Sequence, residues 1–190
     1  IRVIQQGKRP GLKALADVSR VDTSFFDSDD ISFRIAPRIN AAGRMAHAQI
    51  CVGMLTTREK GSAEQTAALL DQLNLKRQQT EKSIVEDIEN KIVRHPEILD
   101  RQAIVLSDDK WNPGVLGIAA SKTARKYFRP VVLISTAATP ATGSCRSVAS
   151  VDIHAILTQC TSMLEKFGGH VMAAGISLLE KNIAAFAEMF

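Results

Sequence analysis

The spacing of apolar residues changes several times along the chain, and each change predicts a different element. Leu12, Leu15 and Val18 recur at helical intervals. Gly7, Pro10 and Gly11 punctuate that stretch, so residues 1–22 predict a short helix pair. The polar, acidic run from Thr23 to Asp30 predicts a loop. Ile31 to Ala36 alternates apolar and polar and stops at Pro37, which predicts a short strand or extended segment. From Ser62 to about Arg94 there is neither Gly nor Pro, and strong helix formers dominate. Apolar residues mark one face at Leu70, Leu73, Ile84, Ile88 and Ile92, but Asn74 to Glu81 is almost entirely polar. A helix in a core keeps its stripe throughout. One with a wet middle is expected to be an arm joining two lobes, about 50 Å long. Pro96 ends it.

Beyond Pro96 short strands and helices alternate. Strands are predicted at Ala103–Leu106, Pro130–Ser135, Gly143–Val148 and Ala173–Leu178. Helices are predicted at Gly114–Phe128, at Asp152–Phe167 with Asp152 as N-cap, and at Ile183–Phe190. The alternation predicts an α/β domain. The expected organisation is an entry segment at 1–60, a long connecting helix at 61–96 and an α/β domain at 97–190.

Composition adds bounds. Of 190 residues, 45% are hydrophobic, enough for a proper core. The net charge of +4 permits a polyanionic partner without requiring one. Cys51, Cys145 and Cys160 are odd in number and widely spaced, which fits neither a zinc pattern nor a disulfide framework and suggests a reducing cytoplasm. No apolar run approaches the roughly 18 residues of a membrane span. The chain starts Ile1-Arg2-Val3 and reads as a piece of something longer.

Three clusters share a chemical logic. In Pro37-Arg38-Ile39-Asn40-Ala41-Ala42-Gly43-Arg44, two arginines flank an amide and a glycine. Guanidinium forks match phosphate oxygens, and a glycine lets backbone approach closely. The alternative is a helix start capped by Asn40, with Arg44 in solvent. In Gly143-Ser144-Cys145-Arg146-Ser147, strand alternation puts Ser144 and Arg146 on one face, with Ser147 on the other face or in the following turn. This suits an oxyanion, or is a polar outer strand. In Phe167-Gly168-Gly169-His170, the glycines predict a tight turn after a helix, with amides forming an anion nest beside His170. The alternative is a plain helix cap.

Other candidates are weaker. Asp152-Ile153-His154 reads as a capped helix start rather than a metal pair, and Asp108-Asp109 as a solvated turn. Cys145 has no histidine placed to activate it as a nucleophile. Trp111-Asn112-Pro113-Gly114-Val115-Leu116-Gly117 leads into a helix, with Pro113 near its first turn, and serves either substrate contact or helix placement.

Taken in order, these pieces resemble the RecJ-type exonucleases of the DHH phosphoesterase superfamily. The resemblance rests on Ile35 to Met45, Trp111 to Ser121, Gly143 to Ser147 and Phe167 to Gly175. It implies a small mixed-sheet α/β domain of the DHH-associated type, preceded by a long connecting helix and a short helical segment. It further implies that this portion grips single-stranded DNA opposite a metal lobe that holds Mn2+ or Mg2+. Such enzymes cut from the 5′ end, in repair and recombination. The residues so marked as phosphate contacts are Arg38, Asn40, Arg44, Ser144, Arg146, Ser147, Gly168, Gly169 and His170. His170 could alternatively assist a leaving group. No Asp-His-His triplet occurs here, so the metal lobe is expected to be missing and the chain alone inactive. Asn112 stands where the family often has histidine, and Cys145 where it usually has alanine. The alternative is a nucleic-acid or nucleotide binding module of another superfamily member.

Overall fold

A computed structural model describes residues 8–22 and 24–190. The first helix of the predicted N-terminal pair, at residues 1–7, and Thr23 lie outside them. Packing divides the chain into two compact units that meet between Gln79 and Thr80.

The first unit is helical. Helix α1 (Pro10–Val18) starts with proline in its first turn, where the missing N–H is no loss. Residues Ile31 to Pro37 are not extended as expected. Asp30–Ile35 form a π-helical turn that runs directly into α2 (Ala36–Met45). The Ala36 N–H donates to the Ile31 carbonyl, five residues back. Proline explains the correction: Pro37 has no N–H to give Phe33, and its ring would press on that carbonyl in the ordinary helical register. The wider turn relieves both problems. Helix α3 (Gln49–Thr56) follows. Leu15, Met54, Ala63, Ala67 and Leu70 are fully or nearly fully buried in this unit's core. Gly11 lies so close to the Met54 carbonyl that an added Cβ would stand 1.9 Å from the oxygen.

Helix α4 (Lys60–Arg94) is the predicted long helix, about 50 Å of it. Its middle is less wet than the polar run suggests, because Asn74 and Glu81 are buried. The Asn74 amide oxygen accepts from Arg77, and Glu81 is ion-paired with Lys122 at 2.5 Å. Both continue the face marked by Leu70, Ile84, Ile88 and Ile92, and their polarity hid that continuity.

The second unit is built on a five-stranded mixed sheet in the order β1-β2-β3-β5-β4. Strands β1 (Ile104–Asp108) and β2 (Val131–Ser135) are parallel, joined through α5 (Pro113–Tyr127). Strands β3 (Ala141–Arg146), β5 (Ala173–Leu178) and β4 (Lys166–His170) add antiparallel. Asn112 caps α5 by accepting from the Gly114 N–H, and Asp152 caps α6 (Ile153–Gln159) by accepting from His154 and Ala155. Helix α7 (Ile183–Met189) closes the unit. On one face of the sheet Val132, Ile134, Cys145, Ala174, Ile176 and Leu178 bury themselves against α6 and Phe186 of α7.

The expected helix Asp152–Phe167 is much shorter, since α6 ends at Gln159 and a 3-10 turn covers Thr161–Met163. Phe167 to His170 is therefore not a turn after a helix but edge strand β4. Glycine disfavours strands locally, but pairing with β5 along its length overrides propensity.

The second half of α4 is tied to this sheet by charge. Lys91 bonds Asp108 at 2.8 Å and lies 5.5 Å from the Trp111 ring centre. The Trp111 indole N–H donates to Asp87, and Tyr127 and Lys126 both donate to Glu89. Asp108, expected in a solvated turn, ends β1 instead and is ion-paired. Burial pulls its carboxyl up, but hydrogen bonds from Lys91 and the Lys110 N–H outweigh it and hold it below the ordinary value. Glu89 behaves alike: burial opposes, and Lys126 and Tyr127 hold it low.

Candidate nucleic-acid interface

Register assembles the site. Across β3, β5 and β4, Ser144 pairs with Gly175, which pairs with Gly168. Two residues along, Arg146 pairs with Ala173, which pairs with His170. Residues opposite one another in antiparallel strands share a face, and so do residues two apart. Ser144, Arg146, Gly168 and His170 thus form the corners of one patch, with only Gly175 and Ala173 between. Strand spacing puts the Arg146 and His170 backbones about 10 Å apart.

Helix α5 borders this face. Ser121 Oγ accepts from Arg146 Nε at 3.1 Å, and Ser144 Oγ accepts from Nη1 at 3.1 Å. The Cys145 carbonyl accepts from Nη1 at 2.7 Å. These contacts fix the plane of the guanidinium. Gly117, on the same helix, leaves room for it: an added Cβ would stand 2.6 Å from Nη2 and 3.0 Å from Ser144 Oγ. Gly117 and Ser121 lie in a stretch the sequence singles out, but sequence reasoning missed what each does for Arg146. Their only signal was a glycine and a serine four apart ahead of a basic helix end, which many helices carry.

The floor of the patch is bare. Gly168 and Gly175 are exposed. An added Cβ would meet nothing within 4 Å at Gly168, and at Gly175 only a carbonyl oxygen at 3.9 Å. Neither packing nor backbone conformation requires glycine at these positions. Gly169 differs. Its φ is 156°, and a Cβ would lie 2.3 Å from the Ala173 carbonyl. It serves the hairpin. At the patch's edge, the Met172 N–H points to His170 Nδ1 at 3.4 Å. In the neutral ring that contact leaves the proton on Nε2, as a donor.

Ser147 lies beyond β3, and its hydroxyl donates to the Val151 carbonyl at 2.6 Å. Its N–H donates to the Met172 carbonyl at 2.9 Å. Cys145 faces the opposite, apolar side; burial pushes its thiol up to about 12, and the Arg146 charge recovers little of that. In the first unit, Arg38, Asn40 and Arg44 all lie within α2, so Asn40 is neither a loop residue nor a cap. Arg38 is half-buried and structural in its contacts: Nε bonds Asp71 at 2.8 Å, and Nη1 and Nη2 donate to the Arg34 and Val18 carbonyls. Asn40 and Arg44 are exposed and one helical turn apart, on a common face.

The described residues do not fit a divalent metal. No group of three or more His, Cys, Asp or Glu side chains gathers among them.

Residues 100–190 match the family model of the DHHA1 domain. The chain is 34% identical over 182 residues to the single-stranded-DNA-specific exonuclease RecJ of Bacillus subtilis, covering 95% of this chain and 23% of that protein. It is 36% identical over 199 residues to the RecJ of Haemophilus influenzae, covering 100% of this chain and 34% of that one. The chain matches RecJ proteins along nearly its whole length. A crystal structure of exonuclease RecJ bound to manganese superposes with a TM-score of 0.85 at 31% identity, over 98% of this chain and 45% of that one. RecJ from Thermus thermophilus in complex with Mg2+ gives 0.82 at 30%, over 98% of this chain and 28% of that one. The chain spans about a quarter to a third of the length of the curated relatives it matches. The likeness to RecJ and the mixed sheet are as the sequence motifs implied. No helix among the described residues is long and apolar enough to cross a membrane.

Proposed function

We propose that this chain is the substrate-gripping portion of a single-stranded-DNA-specific 5′-to-3′ exonuclease that works in cytoplasmic DNA repair and recombination. The observation that carries the reading is the bare floor. Gly168 and Gly175 hold open a surface that folding would let them fill, and Ser144, Arg146 and His170 surround it. A flat floor with a fixed guanidinium, a hydroxyl and an imidazole N–H around it suits a phosphodiester, whose oxygens need donors and whose bulk needs room. Gly169 shapes the strand beneath. Asn40 and Arg44 of α2 supply a second group of phosphate contacts. Arg38 and Ser147 support the reading less directly, by holding α2 and the Ser147–Val151 loop in place.

The chain binds and orients, and neutralises phosphate charge in a fixed geometry. Mn2+ or Mg2+, which such an enzyme uses, is held in this reading by a lobe outside these residues. Similarity to single-stranded-DNA-specific exonucleases along nearly the whole chain favours this reading over a nucleotide-binding module of another superfamily member.

The test is titration of the 190-residue chain with a fluorescent 5′-phosphorylated single-stranded oligonucleotide. Binding is expected, weakening as salt rises, and Arg146→Ala is expected to weaken it about tenfold or more. Unchanged affinity in a variant carrying both Arg44→Ala and Arg146→Ala would sink the assignment.

A further inference from the structure

We propose that the cleft beside Arg146 is a nucleobase subsite, which takes the base of the nucleotide whose phosphate Arg146 holds. This rests on the phosphate reading above and extends it. The cleft has a volume of about 850 Å³, inside the range of small-ligand sites. Its walls have two characters. Arg146, Arg125 and Ser121 supply its cationic and polar lining, and Phe128, Val148 and Met172 its apolar lining. No carboxylate among the described residues lines it. A ligand that carries an anion on a flat apolar body complements both linings at once, as a nucleotide does.

Phe128 makes the assignment specific. It is 82% exposed, the most exposed large apolar side chain among the described residues of the second unit. It follows the last turn of α5 with φ 53°, ψ 41°, a left-handed position that glycine usually fills and bulky side chains avoid. The ring therefore adds neither buried area nor backbone ease to the fold. The remaining large aromatics nearby are committed: Trp111 is buried and bonded to Asp87, and Tyr127 to Glu89. The Met172 stretch of the lining is held by backbone bonds. The Met172 carbonyl accepts from the Ser147 N–H at 2.9 Å, and the Val171 carbonyl accepts from the Ile153 N–H at 3.1 Å. An apolar lining that combines held backbone with an exposed ring suits base stacking. Arg146 borders both this cleft and the open face, so phosphate and base sit on the two sides of one guanidinium.

The experiment compares oligonucleotides of one length, each lacking a single base at a different position, against the 190-residue chain and its Phe128→Gly variant. Glycine suits φ 53°, so Phe128→Gly is expected to keep or raise the Tm while weakening the intact strand about tenfold. One abasic position is expected to weaken the unaltered chain by a similar factor and the variant hardly at all. Met172→Ser gives the same pattern. If Phe128→Gly and Met172→Ser leave affinity unchanged while Arg146→Ala still weakens it, the base subsite is wrong and the phosphate site stands. Equal losses on every oligonucleotide, abasic or not, would also overturn it. No effect of Arg146→Ala would remove the phosphate reading itself.

Discussion

Gly117 and Arg146 are fitted to each other: the missing side chain of one is the space of the other, with 2.6 Å between a hypothetical Cβ and Nη2. The guanidinium reaches Ser121 Oγ and Ser144 Oγ only by passing over that gap. Within a helix, glycine costs about 0.5–1 kcal/mol relative to alanine. Gly117→Ala should therefore leave thermal stability level or slightly raised. It should also push Arg146 out of its plane and weaken oligonucleotide binding about three- to tenfold. Stability and affinity moving in opposite senses, by calorimetry and anisotropy, is the expected signature; a fall in both would mean the glycine serves packing alone.

The three glycines of the patch should separate cleanly. Gly168→Ala and Gly175→Ala have room, so their Tm should stay within a few degrees of the parent while DNA affinity drops. Gly169→Ala drives a methyl into the Ala173 carbonyl and should cost about 2 kcal/mol or more in denaturant unfolding. Equal stability across the three variants would show that the hairpin relaxes where the structure has it tight.

The two arginines of α2 predict contrasting losses. Arg38→Ala removes bonds to Asp71 and to two carbonyls, and should destabilise by about 1–3 kcal/mol. Arg44→Ala is at an exposed position and should cost less stability than Arg38→Ala. It should instead lower the slope of log affinity against log salt by about one. The pair tests whether spacing alone, which treats the two residues alike, mistook a brace for a contact.

Acid should loosen the second unit before it strips any charge from DNA. Asp108 and Glu89 are held below their ordinary values of 3.8 and 4.5. A lowered carboxyl contributes stability that is fully present above its unfolded value and is lost as pH falls through the folded one. The Tm should therefore hold from pH 7 to about 5 and fall below about 4. Asp108→Asn should lower the plateau and flatten that fall, because the Lys91 bond to a carboxylate is gone at every pH. An unaltered pH profile in Asp108→Asn would mean that Lys91 finds another partner.

What could be read from the sequence follows from which signals are local. Asn112 with Pro113 and Asp152 announce helix starts by chemistry confined to a few residues; Asp152 caps as expected, and Asn112 proves to cap as well. The alternation from Ile31 to Ala36 deceived because a single proline reset a helix and left a strand's pattern behind. Phe167 to His170 deceived because its partner is β5, which follows it and outweighs two glycines. The Ser144 and Arg146 pairing was legible, since alternation within one strand is enough. That Gly168 and His170 complete the same face was not, because it depends on register between three strands. Gly117 needed a helix laid across the sheet before it meant anything.

The two rows that run through β3, β5 and β4 end on a strand with no neighbour on its far side among the described residues. Half of the recognition surface lies on an edge strand of the sheet. Were β4 to fray, Gly168 and His170 would leave the patch while Ser144 and Arg146 stayed. A bound strand spanning both rows would act as a stitch across it. Slowed amide exchange along Lys166–His170 on adding oligonucleotide would record occupancy as directly as any change in affinity.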